Sequence, residues 1–340
     1  LTLLNATREV LVDTPEGPVF KEAKASLLFL DWKTTARSFA SLVEPDRFQL
    51  FSLAKPQLGR FKFNALALPA DGISPVEWAN TVADLFMTSY SLGEFGRSII
   101  FELVHQLYAS NRLEPVVLRP EVLDETGAVL RAAITLPPIS QAELPPEAIV
   151  ETPEGTLLAS VFTYGPLSRL VDMSHVAVLL MARIEELATP KGANLYGPAF
   201  RDRAQSVWRR LMSFAPGGPL CEMFAADPSL SNPQALAIED IVAPDKGMVT
   251  VVELDGVDIV NRKFVVGTLV CALWRYGQFY GDGVFDYGGK GPGLYVFLEE
   301  GQEILGSETG DDQATKTARS SLWEAQFRRA RSLGMHYVLC

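Results

Sequence analysis

Residues 294–305, LYVFLEEGQEIL, place two consecutive carboxylates, Glu299 and Glu300, directly after an apolar run. An apolar strand that ends in two acids suits nucleotide hydrolysis, in which one acid holds Mg2+ through water and the next polarises the attacking water. A strand running into a solvated acidic turn has the same local pattern, so these residues alone leave both readings open. A comparable run, ASLLFL at 25–30, meets Asp31 and Lys33 abruptly. Uniform apolarity over so few residues fits a buried parallel strand that ends at a functional edge. Other chemistries find less support. Asp172 and His175 are close in sequence, but a Ser/His/Asp triad is a matter of geometry, and spacing does not make one. His105, His175 and His336 fall in no HExxH pattern. Cys221, Cys271 and Cys340 are odd in number, far apart and without CxxC, which argues against a disulfide framework or a zinc site and fits a reducing cytoplasm.

The elements that must position these carboxylates follow from hydropathy. Residues 249–254 (VTVVEL), 294–298 and 335–339 share the character of 25–30. Helical patterns separate them over 74–87, 95–108, 168–187, 198–214, 259–276 and 313–333. Strands alternating with helices predict an α/β fold whose parallel sheet is covered on both faces. Ligands of such sheets bind beyond the carboxyl ends of the strands, so Asp31 and Glu299 are expected to lie near one another. Residues 113–163 break the rhythm with Pro115, Pro120, Pro137, Pro138, Pro145, Pro146 and Pro153 and read as an irregular insertion. Residues 1–11, LTLLNATREVL, read as a helix with its apolar residues on one face. A rival reading makes 8–22 a hairpin turning at Thr14-Pro15-Glu16-Gly17.

A formal charge of −11 argues against broad electrostatic capture of nucleic acid, although local basic sites remain. The stretch 277–293, GQFYGDGVFDYGGKGPG, interleaves glycines with Phe279, Tyr280, Phe285 and Tyr287 and carries Lys290. It reads as a long surface loop or as a loop facing nucleic acid. Arg201, Arg203, Arg209 and Arg210 concentrate positive charge in 198–214, on a solvated helix face or on one turned toward a channel or a neighbouring subunit. Mean hydropathy is +0.13, yet no apolar run approaches the length of a membrane span.

In order along the chain, FLDWK at 29–33, NALALP at 64–69 with the helical segment after it, RDRAQSVWRRLMSF, VTVVELDGVD, LYVFLEEGQEIL and EAQFRRARSLGMHYVL resemble the succession of motifs in the HerA/FtsK-like P-loop ATPases, the superfamily that includes conjugative coupling and type IV secretion ATPases. The resemblance covers roughly 25–110 and 196–340. It implies an α/β, RecA-like P-loop NTPase core with a parallel sheet and a largely helical insertion. Residues 1–68 would form the N-terminal part of that core, with the helix after the P-loop and the second strand. Residues 69–245 would be the insertion, with the proline-rich segment inside it, and 246–340 the C-terminal part.

The same resemblance implies ATP and Mg2+ as cofactors. Glu299 would be the Walker B acid that holds Mg2+ through water, Glu300 the catalytic base, and Asp31 and Lys33 nucleotide-site residues. Arg331 matches the position from which these motors send an arginine into a neighbouring subunit's site. Lys290, Tyr287, Arg209 and Arg210 are the candidate contacts to nucleic acid. The implied function is a DNA translocase or helicase acting on double-stranded DNA as a homo-oligomer, a hexamer, with a nuclease or effector as a further partner. A type IV secretion or conjugation ATPase and a non-catalytic RecA-like assembly subunit are the alternatives. No segment reads GxxxxGK[ST]. The motif order places that loop just upstream of Leu1, and the chain without it is expected not to hydrolyse ATP. Gly301-Gln302 also departs from the Ala-His of many relatives.

Overall fold

A computed structural model describes residues 7–14, 17–55, 57–70, 73–110, 171–187, 198–224, 236, 238–242, 246–287, 289–301, 323–324 and 326–339, with seven short strand pieces between 115 and 164. Five strands form one sheet: β3 (Ser26–Asp31), β4 (Phe48–Ser52), β5 (Val249–Glu253), β6 (Leu294–Leu298) and β7 (Met335–Leu339). Their spatial order is β7-β6-β3-β5-β4, and all four pairings are parallel. The four apolar runs expected to share a parallel sheet do so. The fifth, β4, was not legible as a strand: FQLFS is only half-buried along most of its length, because it closes the edge of the sheet and needs no continuous apolarity.

The pleat separates the two faces. Leu28, Leu30, Val252, Val296 and Leu298 point into the main core with Trp78, Val82 and Phe86 of α1 (Pro75–Tyr90) and Phe264, Leu269 and Leu273 of α5 (Ile259–Tyr280). Ala25, Leu27 and Val249 face the other way and pack with Phe29, Phe39, Phe48, Tyr295 and Phe297. The alternation follows from the two-residue period of a strand. Between β4 and β5 the chain forms α1, α2 (Gly93–Ser110), α3 (Met173–Leu187) and α4 (Pro198–Leu211), so most of the predicted helical insertion is helical where it is described. Within the proline-rich segment the described residues are short strand pieces, among them Pro115–Leu118 paired with Val161–Tyr164 and Ala133–Thr135.

One expectation is corrected at the N-terminus. Residues 7–11 are not helical: β1 (Thr7–Thr14) and β2 (Gly17–Lys24) pair antiparallel from Thr7↔Lys24 to Thr14↔Gly17. The remainder of that predicted helix, residues 1–6, lies outside the described residues. β-Branched Thr7, Val10, Val12 and Thr14 favour a strand, and alternation buries Val10 and Ala23 while Leu11 and Phe20 remain exposed. Residue-by-residue cross-strand pairing thus decides for the hairpin reading of this segment over the helix that its apolar spacing suggested. The helix predicted over 313–333 is helical at 323–324 and 326–330 and tightens into a 3-10 turn at Arg331–Leu333; residues 313–322 lie outside the described set.

Candidate active site

The sheet reverses its direction of growth at β3. From β3 the chain builds β4 and β5 on one side, then crosses to place β6 and β7 on the other. Crevices at such switch points, beyond the carboxyl ends of the strands, are where α/β sheets bind ligands. Parallel register aligns Leu298 with Leu30 and Glu253 with Asp31, so Asp31, Glu253, Glu299 and Glu300 all gather at this edge.

The turn after β3 wraps the carboxylates in backbone donors. Glu299 Oε2 accepts from the N–H groups of Trp32 at 2.7 Å and Lys33 at 3.1 Å. Asp31 Oδ1 accepts from Lys33 N at 2.9 Å, and its Oδ2 from Ala36 N at 2.7 Å. Asp31 and Glu299 are therefore neighbours, as the strand pattern predicted. Lys33 Nζ lies 2.5 Å from Glu300 Oε1. Glu300 itself has φ 52°, a left-handed conformation that turns the chain sharply at the strand end. A cavity of about 160 Å³ opens beside these groups, lined by Phe29, Phe39, Ala36 and Phe297 with Asp31 and Glu299 on its polar side.

Burial raises the Glu299 carboxyl above its usual range, and a hydrogen bond to the Asp31 carboxyl adds to the rise, against the lowering by the Trp32 and Lys33 N–H groups. The Lys33 ammonium is raised by its hydrogen bond to Glu300. A carboxyl whose pKa is higher folded than unfolded contributes stability below the unfolded value and loses it as pH rises through the folded one. Glu299→Gln is therefore expected to raise Tm by about 1–2 °C at pH 7, a small effect because the group is largely solvent-screened. The gain should fade on acidification below the ordinary carboxylate range, and a thermal melt showing a larger gain at pH 4 than at pH 7 would refute it.

A further pair at this edge carries no signal in the local sequence. Glu253, fully buried at the end of β5, binds Arg37 through both guanidinium donors, with Nη2 to Oε2 at 2.7 Å. The Arg262 guanidinium lies 5.2 Å over the Trp32 ring, and Asp258 caps α5 by accepting from Val260 N and Asn261 N. The acid that ends LDGVD could have flagged the cap, but Arg37 and Glu253 are 216 residues apart.

The other predicted site residues lie elsewhere. Arg331 precedes β7 and Lys290 precedes β6, so both sit at the amino end of the sheet, with Tyr287 in the same loop. That loop is tied to the turn before β7 by Gly283 N to Ser332 O at 2.9 Å and Phe285 N to Leu333 O at 3.1 Å. A five-residue strand spans about 16 Å, so the structure does not bring Arg331, Lys290 or Tyr287 to the carboxylates of the same chain. Arg209 and Arg210 are exposed on α4, whose buried side is Ala204, Val207 and Leu211. Asp172 Oδ1 accepts from Ser174 N at 2.9 Å, Ser174 Oγ at 2.6 Å and His175 N, with His175 Nδ1 at 2.9 Å. That is a helix cap on α3 rather than a triad, since the serine hydroxyl donates to the carboxylate and not to the imidazole.

A parallel sheet with this switch point, helices on the main-core face and acids at its carboxyl edge is a RecA-like α/β fold. The solved structure of VirB4 from Thermoanaerobacter pseudethanolicus is similar to it, with a TM-score of 0.50 over 93% of this chain and 61% of that one, at 10% sequence identity. The bacterial conjugative coupling protein TrwBdeltaN70 aligns over 92% of this chain and 61% of its own at 11% identity, with a TM-score of 0.40. The chain spans about 61% of the length of each. No protein-family model matches the sequence, and no curated protein matches it. Among the described residues no helix is long and apolar enough to cross a membrane.

Proposed function

We propose that the chain is the core of an ATP-hydrolysing motor subunit, with hydrolysis coupled to movement on double-stranded DNA in a ring of like subunits. The observation that carries the reading is the consecutive pair Glu299–Glu300 at the switch-point edge, with Asp31 against Glu299. The ring and the DNA rest on the order of motifs along the chain. A type IV secretion or conjugation ATPase belongs to the same reading with a different cargo.

The residues present fit Mg2+ bound with nucleotide. Mg2+ keeps several waters and takes one or two carboxylates together with phosphate oxygens rather than a full protein cage. Asp31 and Glu299 supply hard oxygens of this kind, and among the described residues no set of three or more His, Cys, Asp or Glu forms a cage. Bound there, the ion would neutralise charge on the phosphates. Glu299 would hold its water shell, fixed in place by the Trp32 and Lys33 N–H groups. Glu300, one residue on and turned by its left-handed backbone, would orient the attacking water. Arg331, at the opposite edge, would reach a phosphoryl group only in a neighbouring subunit.

The test is ATP hydrolysis by the full-length protein over a Mg2+ titration. Glu299→Gln is expected to raise the Mg2+ concentration for half-maximal turnover on the order of 10-fold, the scale of losing a group that orients a metal's shell. An unchanged Mg2+ requirement removes Glu299 from the metal site. Absence of both nucleotide binding and turnover in the unaltered full-length protein would leave a RecA-like assembly subunit instead.

A further inference from the structure

We propose that Phe279 of one copy of this chain enters the aromatic cavity beside Glu299 of the next copy, so that the two ends of the sheet form one head-to-tail subunit interface. The proposal rests on the reading of the chain as a subunit of a ring, and it names the surfaces by which one subunit meets the next. Phe279, near the end of α5, is 45% exposed and belongs to neither hydrophobic core, and Tyr280 beside it is 54% exposed. Their rings meet edge to face with centroids 5.0 Å apart. The loop that follows is tied to the turn of Arg331 through Gly283 and Phe285, so Phe279, Tyr280 and Arg331 share the amino end of the sheet.

The receiving surface lies at the opposite end. Phe29, Phe39, Phe297 and Ala36 line a cavity of about 160 Å³, with exposed Thr35 at its rim. An apolar cavity of about 150 Å³ accepts one benzene ring, so the size matches a single phenyl side chain. Phe29 stacks on Phe297 at 4.3 Å and tilts against Phe39 at 4.7 Å, an arrangement to which an entering ring adds further aromatic contacts. A five-residue strand spans about 16 Å, so Phe279 does not reach the cavity of its own chain. Two different surfaces at opposite ends pair head to tail rather than about a twofold axis, which closes a ring when the rotation allows. Charge favours the same pairing. The carboxyl edge carries Asp31, Asp255 and Glu299 besides the paired Glu253 and Glu300, while the amino edge exposes Lys290, Arg329 and Arg331, offset in part by Asp282 and Asp286.

Cross-linking of the full-length protein tests the pairing. In a background of Cys221→Ser and Cys340→Ser, the Thr35→Cys and Phe279→Cys proteins are each expected to give no dimer with a short bismaleimide. The two produced together should give a covalent dimer, and a chain carrying both substitutions a ladder of multimers. Phe20→Cys, on the hairpin and 72% exposed, should not replace Phe279→Cys, and the product should persist with ATP and Mg2+. In sedimentation, Phe279→Ser should weaken association on the order of tenfold, the scale of losing an aromatic anchor, with Tm unchanged and Phe279→Leu retaining most of it. A monomer at the concentration of the turnover assay, a dimer from either single variant, no product from the pair, or equal product with Phe20→Cys overturns the proposal. So does association unaffected by Phe279→Ser. Loss of the product with ATP assigns the cavity to nucleotide and overturns it as well. The function fails separately: a cross-linked assembly without turnover rejects the motor and not the interface. Turnover by an assembly that gives no product rejects the interface and not the motor.

Discussion

In the full-length protein, Glu300→Gln is expected to bind ATP with Mg2+ and to turn it over on the order of 100-fold or more slowly, the scale of losing a general base. The argument is one of geometry at the switch-point edge. Glu299 has its Oε2 committed to two N–H groups and cannot swing without breaking both. Glu300 follows it in a left-handed conformation that turns the chain at the strand end, so its carboxylate is directed differently from that of Glu299. Glutamine keeps the shape and removes the charge and basicity, which spares binding but not the orientation of water. Single-turnover kinetics with bound nucleotide would separate the two effects. Turnover within a few fold of the unaltered protein would show that Glu300 does no chemistry, and the division of labour between the two acids would go with it.

The second large effect is structural. Arg37→Ala should lower Tm on the order of 5 °C. Glu253 is completely buried at the end of β5, and Arg37, from the 3-10 turn after β3, supplies both donors that satisfy it. Removing only the guanidinium strands a carboxylate in a low-dielectric site, which costs more than the pair contributes net. The loss comes from the stranded carboxylate rather than from lost packing. Glu253→Gln in the Arg37→Ala background should recover part of it, because a neutral amide is cheaper to bury. Additive effects of the two substitutions in a double-mutant cycle would show that the residues are not coupled in this way.

Much of the sheet was legible because central parallel strands are buried on both faces, and SLLFL, VTVV and LYVFL carry that apolarity locally, while MHYVL, the half-buried edge strand β7, still ends in the apolar run YVL. The placement of Asp31 and Glu299 at one edge followed from the same rule, since parallel strands put all their carboxyl ends together. The helices were legible from their period, whereas the Asp258 cap on α5 emerged only in the structure. Where burial is one-sided or partial, sequence and structure part. FQLFS lies on the sheet edge and carries no continuous apolar signal, and the hairpin at 7–24 was legible only as one of two readings, because its apolar residues fit a helix face as well.

By itself the sequence determined which segments must be buried and which acids end them, because hydrophobic periodicity is a local property written residue by residue. Strand order is not local. Only the tertiary structure decided that β3 lies between β5 and β6, and with it that the Lys33 side chain meets Glu300 and Arg37 meets Glu253 across more than 200 residues. The same order placed Arg331, Lys290 and Tyr287 at the far edge of the sheet. Charges separated along the chain interact only after the backbone has been packed, and the packing is fixed by the summed burial of the whole core rather than by any motif within it.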